Sequence, residues 1–255
     1  MGLAGRGLVA RARERLTTSL RSVQVLPSPN IWHWPAVYEA ENRAQDVDGA
    51  VWALLDGLAD WTGDVLDVGC GDGFHLPRFA ERARTVLGVE PHPPLVERAN
   101  ARVDGVPGVA VVLGSAQDIP VVDACADVVH ARTAYFFGPG CEPGLREADR
   151  VLRPGGALVV VDLDAARPPY GRWMRADLPG YDATEVDRFF EISGFERHRV
   201  TTRWRFPDRE TLESVLRIEF SAPVAARAIA DTPGLEFVVG YRVLVRRKPR
   251  GLIIG

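Results

Sequence analysis

Through the middle of the chain, short apolar runs alternate with stretches whose apolar positions recur at helical spacing. The runs at 65–68, 86–90, 109–113, 127–130 and 157–163 predict strands, and the stretches at 74–82, 94–102 and 145–152 predict helices. Such alternation is the pattern of βαβ units, so the five strands are expected in one parallel sheet. Pro94 suits a first helical turn, and Pro154-Gly155-Gly156 is expected to stop the third helix sharply before its strand. Upstream, Leu26-Pro27-Ser28-Pro29-Asn30 breaks the chain before the aromatic segment Ile31-Trp32-His33-Trp34-Pro35. Val47, Val51, Leu54, Leu55 and Leu58 then mark an amphipathic helix ending near Trp61. Downstream, a helix at 185–192, a strand at 195–206, two helical stretches at 209–220 and 222–230, and a last strand at 237–246 are predicted. The helical insertion between the late strands builds no sheet and is expected to cover a pocket mouth. Residues 1–45 are accordingly read as a helical and aromatic cap segment, and 46–250 as the main domain with a cap insertion at 207–232.

Composition narrows this picture only slightly. A chain of 255 residues with 46% hydrophobic and 25% charged residues is an ordinary globule, neither disordered nor membrane-spanning. A net charge of −3 gives no overall positive field for a polyanion, although Arg6, Arg11, Arg13, Arg15 and Arg21 make the first stretch locally basic. That stretch is read as a solvated helix, with a nucleic-acid arm as the alternative. Cys70, Cys125 and Cys141 are too few for a disulfide framework and too far apart for a short-spaced zinc pair, so a reducing cytoplasm is expected and no metal. No run approaches the roughly 18 apolar residues of a membrane helix. Neither a nucleic acid nor a membrane is the expected partner, and a homodimer is the oligomer considered.

The most specific feature follows the first strand, which delivers Asp67 and then Gly69, Gly71 and Gly73 at alternate positions. Glycine permits positive φ and lets backbone approach a ligand closely. A dinucleotide fingerprint wants its third glycine where Phe74 stands, so the spacing favours a cofactor without a pyrophosphate. Glu90 ends the second strand, where a carboxylate can accept from both ribose hydroxyls; this identifies a ribose and leaves NAD open.

The chain resembles the class I S-adenosylmethionine (SAM) dependent methyltransferases that modify small molecules. The likeness rests on VLDVGCGDG at 65–73, GVEP at 88–91, GSAQDIP at 114–120, DVVHAR at 127–132 and READRVLRPGGALVVVD at 146–162. It implies a Rossmann-like α/β sheet of seven strands in the order 3-2-1-4-5-7-6, the last antiparallel, with helical cap elements. It also implies that Asp67, Gly69, Cys70 and Gly71 face the methionine end of SAM, Glu90 and Pro91 the ribose, and Ser115 with Ala116 the adenine edge. Gln117 is a further adenine contact, and His130 is placed near the cofactor's amino group. Where many relatives carry Asp, this chain has Ser115, a weaker acceptor.

Trp32, Trp34 and Tyr38 are candidate acceptor contacts, since relatives fold this segment over the cofactor; a staple holding a decorating helix is the alternative reading. His33 is the only candidate for a general base, while His75, His92 and His198 are read as ordinary surface or helix residues. Tyr135, with Phe136 and Phe137, and Tyr170 with Trp173 follow strands at the same sheet edge and could line the acceptor pocket or plug the core. The segment 32–38 and the insertion 209–230 are expected to approach the pocket mouth from opposite sides. The implied function is methyl transfer from SAM to a small acceptor in specialised metabolism. The alternatives are a SAM-binding protein without catalysis, an NAD-dependent reductase and an RNA methyltransferase.

Overall fold

A computed structural model describes residues 28–251, so the basic stretch and the first part of the expected cap, 1–27, lie outside the described residues. The chain enters through α1 (Pro29–His33), α2 (Pro35–Ala44) and α3 (Ala50–Leu58). It then alternates through β1 (Asp64–Val68), α4 (Leu76–Ala80), β2 (Thr85–Glu90), α5 (Pro93–Arg102), β3 (Val109–Leu113) and β4 (Ala126–Arg132). After α6 (Glu142–Val151), β5 (Leu152–Leu163), α7 (Tyr170–Asp177), α8 (Ala183–Ile192) and β6 (Glu196–Arg205), the insertion α9 (Arg209–Glu219) and α10 (Ala222–Asp231) leads into β7 (Glu236–Arg247). The sheet order is β3-β2-β1-β4-β5-β7-β6, and β7 runs antiparallel to β5 and β6.

β1 is buried along its whole length because both faces of the sheet are covered. Val65, Val128 and Val159 pack on one face with Leu55, Trp61 and Phe79, while Leu66, Val129 and Leu158 pack on the other with Leu145, Ala148 and Phe190. At the amino end of the strands, buried Asp64 accepts from Arg84 (2.7 and 3.0 Å) and Arg153 (2.7 Å) and ties β1 to its neighbours. Burial by itself would raise the Asp64 pKa; the bonds from Arg84, Thr85 and Arg153 override it and hold the carboxyl down at about 2. Among the described residues, no helix is long and apolar enough to cross a membrane.

Several expectations need correction. Pro154-Gly155-Gly156 do not separate helix from strand, because β5 already begins at Leu152. Gly155 takes a positive φ of 85°, its N–H donates to the Lys248 carbonyl (2.8 Å), and the pairing with β4 absorbs an irregularity between Ala126 and Val128. Val47 stands outside α3, exposed in the turn before it. α1 begins inside the expected break at 26–30 and α7 stands where a loop is expected, while α2 lies in the segment expected to be helical; proline at the first turn of α1 and α2 starts a helix rather than ending one. The insertion and the aromatic segment both reach one cavity, through Glu219, Phe220 and Tyr38, but side by side rather than from opposite sides: α9 packs directly on α2, and Asn30 Nδ2 donates to Glu219 Oε1 at 2.7 Å.

Candidate functional site

Beyond β1 the chain turns through Gly69, Gly71 and Gly73, with φ of 73°, 58° and 79°. Side chains there would be strained, and one at position 71 would meet Ile31 Cδ1 of α1 at 2.8 Å. The N–H groups of Gly69 and Cys70 both donate to the Val89 carbonyl (2.8 and 3.2 Å), fixing the turn to β2. Arg102 braces it from outside, donating to the Asp72 carbonyl (3.0 Å) and carboxylate (2.7 Å) and to Glu39 of α2 (3.1 Å).

Glu90 is buried at the end of β2, where one carboxylate oxygen accepts from the Gly71 N–H and the other from the His92 N–H, each at 3.0 Å. Burial is the main influence that pushes its pKa up to about 7, the Asp67 charge adds to it, and the two backbone donors oppose it. Each oxygen keeps a lone pair for a further donor. Asp67, also buried, accepts at Oδ1 from His130 Nδ1 (2.7 Å).

Asp67, Gly69, Cys70, Gly71, Glu90, Pro91, Ser115, Ala116 and Gln117 line one cavity of about 270 Å³ at the carboxyl ends of the strands. This is where an open α/β sheet takes its ligand. Ser115 shares its hydroxyl with its own turn, accepting from the Asp118 N–H at 3.2 Å. His130 does not line the cavity. Its position in β4 puts the ring on the face of Val128, fully buried between Trp61 and Phe79, so it orients Asp67 from behind.

Two residues that sequence reasoning missed complete the wall. Arg132, at the end of β4, is buried, donates to Gln45 Oε1 (2.7 Å), and has a second terminal nitrogen without a hydrogen-bond partner. His75 was set aside as ordinary, yet its ring lines the cavity, and burial pushes its pKa well below the usual value. Position at a strand end pointed to Arg132; nothing local pointed to His75.

Among the aromatic candidates, Trp32, Tyr38 and Tyr135 line this cavity. Trp34 is 57% exposed, and neither it nor His33, the candidate base, is among the residues that line this cavity or the one adjoining it. Tyr170 lines a second, adjoining cavity of about 370 Å³, whereas Trp173 is a core residue packed on Phe220 and Phe237 and bonded to Asp231 (2.9 Å). Phe136 is fully buried. Ser28, Asn30, Tyr38, Thr133 and Phe137 face both cavities. Thr133 and Tyr135 hold φ of 45° and 54°, a backbone strain concentrated at the junction of the two chambers.

A buried strand-end carboxylate whose oxygens each keep a lone pair, the glycine turn and the partnerless Arg132 nitrogen fit a nucleoside linked to an amino acid. Residues 66–160 match the family described as methyltransferase domain. The chain is 28% identical over 242 residues to the 27-O-demethylrifamycin SV methyltransferase of Amycolatopsis mediterranei, covering 82% of this chain and 88% of that one. It is 37% identical over 117 residues to a protein of a Streptomyces fradiae transposon, 44% of this chain but only 33% of that protein. Among solved structures, a candidate methyltransferase from Bacillus halodurans matches with a TM-score of 0.58 at 21% identity, over 78% of this chain and 98% of that one. SpnF, a (4+2)-cyclase, matches at 0.53 with 24% identity, over 79% and 81%. Residues 66–160 thus carry a methyltransferase domain, and over most of its length the chain is similar to class I SAM-dependent methyltransferases and shares their fold. The cyclase shows that the fold is also put to other uses.

Proposed function

We propose that this protein transfers the methyl group of SAM to a small-molecule acceptor of specialised metabolism, with SAM in the first cavity and the acceptor in the second. The observation that carries the reading is the continuity of a ribose-type carboxylate site with a second chamber through a shared wall. SAM supplies an electrophilic methyl group on a sulfonium. Glu90 accepts the ribose hydroxyls, Ser115, Ala116 and Gln117 border the adenine, and Asp67, fixed by His130, takes the amino group. Arg132 offers its free nitrogen to the carboxylate. Trp32, Tyr38 and Tyr135 exclude water, and alignment of donor and acceptor across the shared wall can supply roughly 7–11 kcal/mol of the acceleration. The rifamycin-modifying relative supports a specialised-metabolite acceptor.

Calorimetric titration with SAM, S-adenosylhomocysteine and NAD tests the reading. The first two should bind, and at about 100 times the dissociation constant should stabilise the fold by ~2.7 kcal/mol. Binding of NAD with no response to either sulfur ligand would overturn it. Consumption of SAM in the presence of acceptor extracts separates an enzyme from a silent binder.

A further inference from the structure

The wall of the second chamber contains four carboxylates, Glu41, Asp162, Asp177 and Glu219, and among the described residues no lysine, arginine or histidine. Asp162 is answered from behind by buried Arg242 (2.5 Å), and Asp177 accepts from the Ser221 N–H (3.0 Å). Glu219 accepts from Asn30 (2.7 Å) and from the Tyr170 hydroxyl. Glu41 is different. It is only 3% exposed, its Oε1 accepts from Gln45 Nε2 (2.8 Å), and its Oε2 has no hydrogen-bond partner although the residue lines the chamber. A buried polar atom in that state lacks a donor, and the chamber is where one would come from.

Resting on the methyltransferase reading, we propose that the second chamber binds its acceptor through a neutral, acidic hydroxyl of the phenol or enol type. The hydroxyl donates to Glu41, and the Glu41–Glu219 pair receives its proton during transfer. The acceptor's O–H bond breaks and its oxygen bonds the methyl carbon. The carbon–sulfur bond breaks with its electron pair left on sulfur, and the proton ends on a carboxylate of the pair.

Three arguments select a hydroxyl. Acceptors recognised through a phosphate or carboxylate would bring negative charge to a wall with no cation to meet it. An amine is no better, because a carboxylate-lined chamber favours its ammonium form, which has no lone pair to attack with. A neutral hydroxyl escapes both problems and is a poor nucleophile only until its proton has somewhere to go. Burial, and then the charge and close approach of the Glu219 carboxyl, push the Glu41 pKa well above its ordinary value, against Gln45 and Arg132, so the pair suits a weakly acidic hydroxyl. Tyr38 and Tyr170 beside the pair are pushed upward mainly by burial and stay neutral, as does Tyr241, which bonds Gln45.

The test uses the full chain saturated with S-adenosylhomocysteine and four chromophoric probes of one shape: 4-nitrophenol, 4-nitroanisole, 4-nitrobenzoate and 4-nitrobenzylamine. 4-Nitrophenol should bind about tenfold tighter than 4-nitroanisole, as expected for one hydrogen bond to a charged group, and tighter than the other two. Its absorbance should report an apparent pKa raised by about one unit on binding, because the pair's charge opposes the phenolate. Glu41→Gln and Glu219→Gln, each checked for an intact melting transition, should both lose the phenol preference and the raised pKa while keeping S-adenosylhomocysteine affinity. Equal binding of 4-nitroanisole, a preference for the amine or the benzoate, no probe binding, or variants that leave the phenol pKa unmoved would each overturn the proposal. Loss of S-adenosylhomocysteine binding by the parent protein would instead overturn the functional reading beneath it.

Discussion

Lowering the pH from about 8 to about 5.5 should weaken S-adenosylhomocysteine binding some thirtyfold, with Glu90 as the cause. The perturbed group is a carboxyl raised from 4.5 to about 7 in the ligand-free fold, chiefly by burial. A raised carboxyl means that the fold binds this proton more tightly than the unfolded chain does. The stability Glu90 contributes is therefore full below about pH 4.5 and is lost as pH rises through 7, by up to ~3 kcal/mol. Two ribose hydroxyls reverse the preference, because they donate to the ionised form and pull the pKa down. Affinity then rises with pH by up to tenfold per unit until about pH 7 and levels off above it. From pH 7 down to about 5.5 that is about 1.5 units, or ~2 kcal/mol. Calorimetry at four pH values in two buffers of different ionisation enthalpy measures both the slope and the released proton. Glu90→Gln should bind more weakly with this component of the slope removed, which separates Glu90 from titration of the ligand's own amino group. Equal slopes in parent and variant would refute the argument.

Asp64→Asn should cost ~2 kcal/mol in urea unfolding, since it removes the buried carboxylate that Arg84 and Arg153 share and leaves them only Asp127 at the far end of the strands, yet should not change S-adenosylhomocysteine affinity. Because its carboxyl is lowered from 3.8 to about 2, the stability from Asp64 is present above pH 4 and lost as pH falls through 2; the asparagine variant should lack that acid limb. Gly71→Ala should lose about 1–2 kcal/mol of stability and weaken ligand binding, because position 71 needs φ of 58° and Ile31 fills the space a methyl would take. Undiminished affinity in a thermal-shift titration would contradict the close approach. Arg132→Met should bind S-adenosylhomocysteine about tenfold more weakly but 5′-methylthioadenosine, which lacks the amino-acid part, equally well. Parallel losses for both ligands would remove Arg132 from the carboxylate.

What could be read from the sequence was what is written locally. Strands covered on both faces announce themselves as apolar runs, and β3 begins and ends where the spacing puts it. The glycine turn and Glu90 are also local, since a turn of three positive-φ residues and a strand-end acid lie within one βαβ unit. Strand order came from the resemblance to a family, because periodicity carries no information about neighbours. The residues missed or misread are those whose meaning depends on distant partners. Arg132 gains its place through Gln45, and Glu41 through Glu219 on an inserted helix; neither pairing leaves a trace in spacing. Trp34 and Trp173 look alike as sequence, yet one faces solvent and the other plugs the core. His130 was expected at the cavity because it leaves a strand end, but strand alternation aims its ring at Phe79.

The shared wall between the chambers has a consequence for how such a protein can diverge. Asn30 bonds Glu219 while its neighbour Ile31 sits on Gly71, so, with donor and acceptor in the two chambers as proposed, any change that reshapes this segment touches both together. Altered taste for an acceptor gained there would come with altered grip on the donor. Met174 and Leu178 on the α7 side, and Phe220 just after α9, face the second chamber alone. Substitutions at those three positions can widen or narrow the acceptor range while donor handling stays constant.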